Sequence, residues 1–134
     1  MLVRGGEIAA QRIIDLKGHE HPQASPLACK SGPLLVSGAI TGRDLEIGIM
    51  PGDDDTQARK AFRNMRTLLA ETGTGISDVA KRAIDIADDK HRDAAIKHWA
   101  MTFPERNRRP AHRTLLAPFH ASVVHVEIIA YQGE

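Results

Sequence analysis

The chain is poor in several features that mark common functional classes. Aromatic residues make up only 4% of its 134 residues, which argues against the stacking platforms of single-stranded nucleic-acid binders. The formal net charge of +1 at pH 7 provides no basic surface for nucleic acid or for an acidic membrane. No run of about 18 apolar residues occurs, so no membrane-spanning helix is predicted. We therefore expect neither a nucleic-acid nor a membrane partner.

Cysteine is nearly absent as well. Cys29 is the only one in the chain, so an internal disulfide is excluded and a reducing compartment is the simplest setting. The first residues, MLVRGGEIAAQR, contain no apolar segment of the kind found in secretory signals. These absences predict a cytoplasmic protein in which Cys29 is an inert buried thiol.

What the chain does contain is typical of a globular protein with a real core. Hydrophobic residues make up 42% and charged residues 26% of the sequence, and this length suits one domain spanning residues 1–134. Alternating and apolar runs predict strands at residues 9–15, 33–40, 45–50 and 77–87. Residues 18–26 (GHEHPQASP) and 104–110 (PERNRRP) are predicted to be loops, the second exposed and basic.

Two helices are predicted between the strands. The first begins at an N-cap among the acidic residues 53–55 and runs to about Glu71, and Gly73 is its stop. Its buried stripe recurs at helical spacing: Ala58, Phe62, Met65 and Leu69. The second helix covers about residues 91–103 and is capped by Asp88 or Asp89. The resulting order, β-β-(β)-α-β-α-β-β, predicts an α+β sandwich with both helices on one face of a mixed sheet.

The last stretch, residues 109–132, predicts a hairpin of two strands with a turn at 118–121. Side chains alternate along a strand, so the second strand has a uniformly apolar face and an opposite face that carries Glu127. A carboxylate in so apolar a strand lowers stability unless it is paired with another group, so it is retained where it is paired or has a functional role. In the first strand, His112 and Thr114 share one face and Arg113 takes the other. Glu127 and His112 are our first candidates for a functional site.

The order and spacing of several segments resemble the Rid family, also called the YjgF/YER057c/UK114 family of reactive-intermediate deaminases. The matching segments are SPLACKSGPLLVSGAI, TQARKAFRNMRTLLAETGTGISDVAK, IDIADDKHRDAAIKHWAMTF, RPAHRT and VHVEIIAY. The resemblance implies a chorismate-mutase-like fold and a homotrimer with clefts between subunits. It also implies hydrolysis of small enamines and imines, such as 2-aminoacrylate, without a metal or an organic cofactor.

The resemblance assigns roles to individual residues. Glu127 matches the glutamate that orients the attacking water, and Ser37-Gly38 matches the Ser-Gly at the floor of the cleft. His112 falls where the family has an arginine that holds the substrate carboxylate, and Thr114 falls where cysteine is common. Ala24 replaces a tyrosine that often closes the pocket, and an isoleucine, at position 96, falls where asparagine is common.

These departures leave two classes of function open. The first is a cofactor-free trimeric hydrolase or deaminase-like enzyme, acting on a small enamine, imine or amide. In that enzyme Glu127 positions water, and His112 is an acid or base near neutral pH. The substrate-binding candidates are Ser37, Gly38, Arg113 and Thr114, although alternation turns Arg113 away from His112 unless a bulge intervenes. The second class is a non-catalytic trimer that binds a small metabolite in the same clefts.

Each candidate also has a purely structural interpretation. Glu127 could be a structural carboxylate that is hydrogen-bonded at a subunit interface, and His112 could be packed there. Thr114 could be only a strand residue. The seven histidines form no complete ligand set with sensible spacing, so no metal site is predicted. Trp99 is expected to anchor the second helix to the sheet rather than to stack on a substrate.

Overall fold

The computed structural model describes residues 11–19, 26–117 and 122–133. Nine helices and strands follow one another in these ranges: β1 (Gln11–Ile14), β2 (Ala28–Ser31), β3 (Leu34–Ser37), β4 (Ile40–Thr41), α1 (Asp54–Glu71), β5 (Val79–Ile86), α2 (Arg92–Thr102), β6 (Ala111–Leu116) and β7 (Val124–Tyr131). The strands form one mixed sheet in the order β1-β2-β3-β7-β5-β6, and β4 also pairs with β7. The predicted α+β class, with two helices packed against a mixed sheet, is confirmed.

The helices cover one face of this sheet. Along β7 the side chains alternate between buried and outward-facing positions, from Val124 to Tyr131. The core lies between the buried face and α1, where Ala58, Phe62, Met65 and Leu69 are at most 3% exposed. The stripe predicted from helical spacing is therefore confirmed. Within the described ranges, no helix combines the length and apolarity needed to cross a bilayer.

The boundaries of α1 follow the predicted capping chemistry. The Asp53 carboxylate accepts a hydrogen bond of 2.9 Å from the backbone N–H of Thr56, which satisfies one of the free donors at the helix start. The helix ends at Glu71 with Thr72 as its C-cap, and Gly73 follows with a φ of +68°, a left-handed conformation that favours glycine. The first helix thus begins and ends where its sequence predicts.

Two strand predictions were wrong in detail. The run at residues 33–40 is not one buried strand, because Leu34 and Val36 face outward and the strand ends at Ser37. Residues 45–50 do not form a strand. The Asp44 carboxylate accepts hydrogen bonds from the backbone N–H groups of Glu46 and Ile47, which favours a turn over a ladder.

The sequence pattern did not predict β2, and it predicted the wrong neighbour for β6. Ala28–Ser31 pairs with β3 through a turn at Gly32, which has a φ of +56°. The predicted hairpin of β6 and β7 is wrong, because β5 lies between them, antiparallel to β7 and parallel to β6. The crossover through α2 supplies the long connection that a parallel pair needs. The predicted turn at 118–121 lies outside the described residues.

Histidine–aspartate contacts join the two helices. Asp55 accepts a hydrogen bond of 2.9 Å from Nε2 of the buried His98 and also contacts Nζ of Lys97 at 2.5 Å. Asp54 pairs in the same way with Nδ1 of His91 at 3.0 Å. These contacts fix the start of α1 against α2, and hence the position of both helices over the sheet.

We predict that Asp55→Asn lowers the thermal midpoint of unfolding near neutral pH. Hydrogen bonds from Lys97 and His98 lower the pKa of the Asp55 carboxyl. A lowered folded-state pKa stabilises the protein above the unfolded-state value, and this stabilisation is lost as the pH falls through the folded-state pKa. Thermal melts at neutral and at strongly acidic pH should therefore show a deficit that disappears in acid. Asp89→Asn is the matched control, because its partner Arg92 is exposed; an equal deficit in both variants would contradict the assignment.

Candidate functional site

A depression opens on the sheet face that the helices leave uncovered. Its volume is about 120 Å³, and it is lined by Val36, Ser37, Lys81, Ala83, Arg113, Glu127, Ile128 and Ile129. Strands β3, β7, β5 and β6 all contribute to it. The depression therefore lies across the middle of the sheet, where four neighbouring strands bring distant parts of the chain together.

Strand register decides which side chains meet there. Ala83 of β5 pairs with Arg113 on one side and with Glu127 on the other. Residues directly opposite one another in neighbouring strands point to the same face, so the guanidinium and the carboxylate flank the small Ala83 side chain. The alanine leaves the space between them open.

The electrostatic setting of Glu127 is mixed. Partial burial raises the pKa of its carboxyl, and the nearby Asp85 carboxylate raises it further. Arg113 and Lys81 act in the opposite direction but only partly offset this effect. A carboxyl with a raised pKa is a better proton acceptor than an ordinary one, which suits the task of a general base.

His112 does not share this face with Glu127. It pairs with Arg82 of β5, one residue before Ala83, and so points to the helix side of the sheet. Within one chain the sheet therefore separates Glu127 from His112, and their meeting in a cleft between subunits stays a prediction. Arg113, which alternation seemed to turn away, is the residue beside Glu127. The inserted strand β5 makes the difference, because its register aligns Arg113 rather than His112 with the glutamate.

On the helix side, His112 belongs to a compact cluster. Its ring stacks on Trp99 at 4.4 Å between centroids, Nδ1 is hydrogen-bonded to Nη2 of Arg82, and Nε2 lies 2.7 Å from Oγ1 of Thr114. Partial burial and the Arg82 charge lower the pKa of His112 to about 4. The imidazole is thus uncharged near pH 7, whereas we expected it to gain and lose its proton near that pH. Trp99 contacts sheet residues from α2, as predicted of a packing anchor.

Ser37 and Gly38 are at the end of β3. The Ser37 hydroxyl accepts a hydrogen bond of 3.0 Å from the backbone N–H of Ile128 and donates one of 2.9 Å to the carbonyl of Gly38. The side chain therefore supports the local backbone. A Cβ added to Gly38 would meet only the carbonyl oxygen of Leu27, at 3.5 Å, which is ordinary contact within the described residues. Ligand binding by this pair stays a prediction.

The remaining candidates concern metal binding and the other histidines. In the part of the chain that the structure describes, no group of three or more His, Cys, Asp or Glu side chains is placed to hold a metal ion. His91 and His98 pair with carboxylates of α1. Ala24 lies outside the described residues.

Sequence reasoning missed Arg82. This side chain is 0% exposed in the described structure, and its guanidinium lies 4.4 Å from the Trp99 ring and 5.5 Å from the Phe62 ring. A signal was present, because Arg82 alternates with Ile84 and Ile86 and so belongs to the apolar face of β5.

The comparisons with known proteins agree on the fold. The YyfA protein of the Rid family from Yersinia pestis superposes with a TM-score of 0.81, covering 91% of this chain and 99% of that one at 20% identity. RidA from the Antarctic bacterium Psychrobacter gives 0.80, with 89% and 97% covered at 21% identity. A YjgF/YER057c/UK114 family member from Mycobacterium tuberculosis gives 0.73, with 91% and 99% covered at 20% identity. Identities this low show the fold alone.

Comparison at the level of sequence shows the family. Among the curated proteins, no sequence matches this chain. The family model described as Endoribonuclease L-PSP, however, matches residues 23–132, which is most of the chain and includes both α1 and α2 and the strands β2 to β7. The chain belongs to this family, the Rid or YjgF family that its segments resemble.

Proposed function

We propose that the protein is a cofactor-free enzyme that hydrolyses the carbon–nitrogen bond of a small enamine or imine bearing a carboxylate. The observation that carries this proposal is the pairing of Arg113 and Glu127 across Ala83 in an open depression. A planar guanidinium suits a carboxylate because it can donate two parallel hydrogen bonds. A carboxylate with a raised pKa, on the other side of Ala83, suits the activation of water.

The chemistry needs one group that moves a proton twice. Glu127 accepts a proton from water as the oxygen adds to the carbon of the protonated imine, which gives a carbinolamine. The protonated Glu127 then returns the proton to the nitrogen. As the carbon–nitrogen bond breaks and ammonia leaves, Glu127 takes the proton of the carbinolamine hydroxyl, which becomes the carbonyl of the keto acid. The role of acid proposed for His112 thus passes to Glu127, because His112 is neutral and lies on the other face of its own chain.

The open face also supports the proposed homotrimer. Two cross-strand pairs, Leu34 with Tyr131 and Val36 with Ile129, form an apolar patch beside the depression. Each of these four side chains is at least 38% exposed. Contiguous apolar surface of this kind marks an interaction site, and further copies of the chain would cover it and close the depression into a cleft.

A non-catalytic trimer that binds a small metabolite is the second candidate. One observation favours it: Ser37 is occupied by backbone hydrogen bonds, which leaves few free polar groups beside Glu127 and Arg113. Binding of a keto acid to the wild-type protein without turnover of any imine would support this candidate over the enzyme.

We predict that Glu127→Gln abolishes turnover without lowering stability. The assay generates 2-aminoacrylate enzymatically and follows the loss of the imine. A raised folded-state pKa means that ionising Glu127 is less favourable in the folded than in the unfolded chain, and this cost appears as the pH rises through the ordinary carboxyl range. The neutral amide removes it, so the thermal midpoint near neutral pH should be equal or higher. Normal turnover by the variant would rule out the assigned role.

We predict that Arg113→Gln weakens substrate binding by about ten- to a hundredfold. That range corresponds to the roughly 1.5–3 kcal/mol of a hydrogen bond to a charged group. The loss should appear in KM for a carboxylate-bearing imine and should be smaller for an uncharged imine. Arg106→Gln, in the exposed loop, is the matched control. Equal KM values for the two variants would contradict carboxylate recognition by Arg113.

We predict that Leu34→Glu dissociates the trimer, because it places a charge in the apolar patch. Sedimentation equilibrium should give the mass of three chains for the wild type and of one chain for the variant. Ile47→Glu is the control, because Ile47 is 67% exposed outside the sheet. A monomeric wild-type protein would overturn the proposed assembly.

A further inference from the structure

Three arginines form an exposed row along α1. Arg59, Arg63 and Arg66 recur at helical spacing, and each comes one residue after a member of the buried stripe, so the row lies beside that stripe on the helix surface. Within the described residues none of the three forms an ion pair, whereas the neighbouring Lys60 contacts the Asp44 carboxylate at 3.1 Å. Like charges one turn apart repel each other. The arginine row therefore lowers the stability of α1 unless an anionic partner covers it.

A long groove runs between the arginine row and α2. Three depressions follow one another here, with volumes of about 280, 230 and 360 Å³. Arg66 lines the first two, Ile76 lines the last two, and Thr102 lines all three. Because neighbouring depressions share these residues, they form one continuous surface feature, which we call the helix groove.

The floor of the helix groove is apolar. Phe62, Leu69 and Phe103 line it and are at most 6% exposed. Two more apolar side chains border it in exposed positions, Met101 at 66% and Ile76 at 40%. Exposed apolar side chains around a concave surface mark an interaction site, and methionine adapts readily to the shape of a partner.

The charges along the helix groove are mainly positive. Among the described residues that line it, Glu105 is the only carboxylate, and it lies 3.4 Å from Nη1 of Arg108. Asp55 contacts the lining residue His98 at 2.9 Å, but it is also held by Lys97. The nearby carboxylates are thus already paired, and the arginine row attracts an anionic surface from outside.

Spacing and shape favour a helix as the occupant. The arginine row covers two turns, or about 10 Å along α1. A helix packed alongside α1 and α2 has the same repeat, so its carboxylates can face all three guanidinium groups while its neighbouring apolar stripe enters the groove. A small anion would leave the apolar floor uncovered. Single-stranded nucleic acid needs exposed rings for stacking, and the rings of Phe62 and Phe103 are buried.

We propose that the helix groove is a docking site for an acidic amphipathic helix of a partner protein. The apolar residues of that helix contact Met101 and Ile76, and its carboxylates pair with the arginine row. The groove lies on the helix layer, whereas the patch that contains Leu34 is on the opposite face of the sheet, so the groove stays accessible in the proposed homotrimer. The docking site is independent of the proposed hydrolase activity.

The first experiment measures the binding of designed peptides by fluorescence anisotropy. The probe is a labelled helix of about 14 residues, roughly 20 Å long, with leucines at helical spacing and glutamates beside them. A reference peptide has serine at each leucine and keeps every charge. The wild type should bind the leucine peptide at least about tenfold more tightly, because apolar burial adds to charge attraction. Equal binding of both peptides, or binding of neither, would overturn the proposal.

The second experiment locates the contact with charge reversal. Arg63→Glu should weaken binding of the leucine peptide about tenfold or more, because an attraction becomes a repulsion. Arg12→Glu is the matched control, since Arg12 is exposed on β1 and does not line the groove. A peptide with lysine at each glutamate should bind Arg63→Glu more tightly than it binds the wild type, which also shows that this variant is folded. Equal losses in Arg63→Glu and Arg12→Glu would refute docking at the arginine row.

The third experiment tests the apolar contact without changing charge. Met101→Gln should bind the leucine peptide roughly three- to tenfold more weakly, because less apolar surface is buried. Ile47→Gln is the control, because Ile47 is 67% exposed away from the groove. Unaltered binding by Met101→Gln would contradict the proposed orientation of the helix. Displacement of the peptide by a single-stranded oligonucleotide at a lower concentration than by unlabelled peptide would show that nucleic acid is the better occupant, and the proposal would be wrong.

Discussion

The position of β5 between β6 and β7 is the constraint on which the rest of this structure depends. Side chains alternate with a period of two along each strand, so a register fixed at one pair fixes the face of every other side chain. Ala83 aligns with Arg113 and Glu127, and Arg82 aligns with His112. One residue of shift would exchange the two sets. The uncovered face and the helix-covered face therefore receive their polar groups together, from the same pairing.

The two faces place those groups in different dielectric surroundings. Arg113 and Glu127 are exposed at a shallow depression, where water and neighbouring charges screen them. Arg82 and His112 lie against Trp99 and the core, where an unpaired charge interacts strongly with whatever is near. The carboxyl of Glu127 consequently shifts upward in pKa through mild burial, while the imidazole of His112 shifts downward. The two pKa shifts oppose each other, because burial favours the protonated carboxyl on one face and the neutral imidazole on the other.

Much of the fold could be predicted from the sequence, and the limits have physical causes. The capping aspartates and the stripe of Ala58, Phe62, Met65 and Leu69 are local signals, so α1 was predicted within a residue or two. The pairing of strands is not local. Nothing in residues 109–132 reveals that β5 separates β6 from β7, and the predicted hairpin followed from nearness in sequence alone.

The candidate site likewise combines residues that local signals predict with residues that depend on strand pairing. Glu127 could be singled out because a carboxylate interrupts an apolar strand, and its face was assigned correctly from alternation. Which β6 residue shares that face could not be predicted, because deciding between His112 and Arg113 requires the register across a third strand. Arg82 could have been noticed from its alternation with Ile84 and Ile86, but its contact with His112 depends on the register between β5 and β6.

The long-range pairing of β6 also has a consequence for how the chain folds. The β1–β2–β3 meander joins residues that are close in sequence, and turns such as that at Gly32 close it locally. The contact of Arg82 with His112 instead spans 30 residues and requires α2 to form in between. Contacts of large sequence separation lose more chain entropy before they are rewarded. The pairing of β3 with β7 spans far more of the chain, from Leu34 to Tyr131. We therefore expect the meander to form early in the transition state and β7 to dock last, so that Glu127 joins its face of the sheet only at the end of folding.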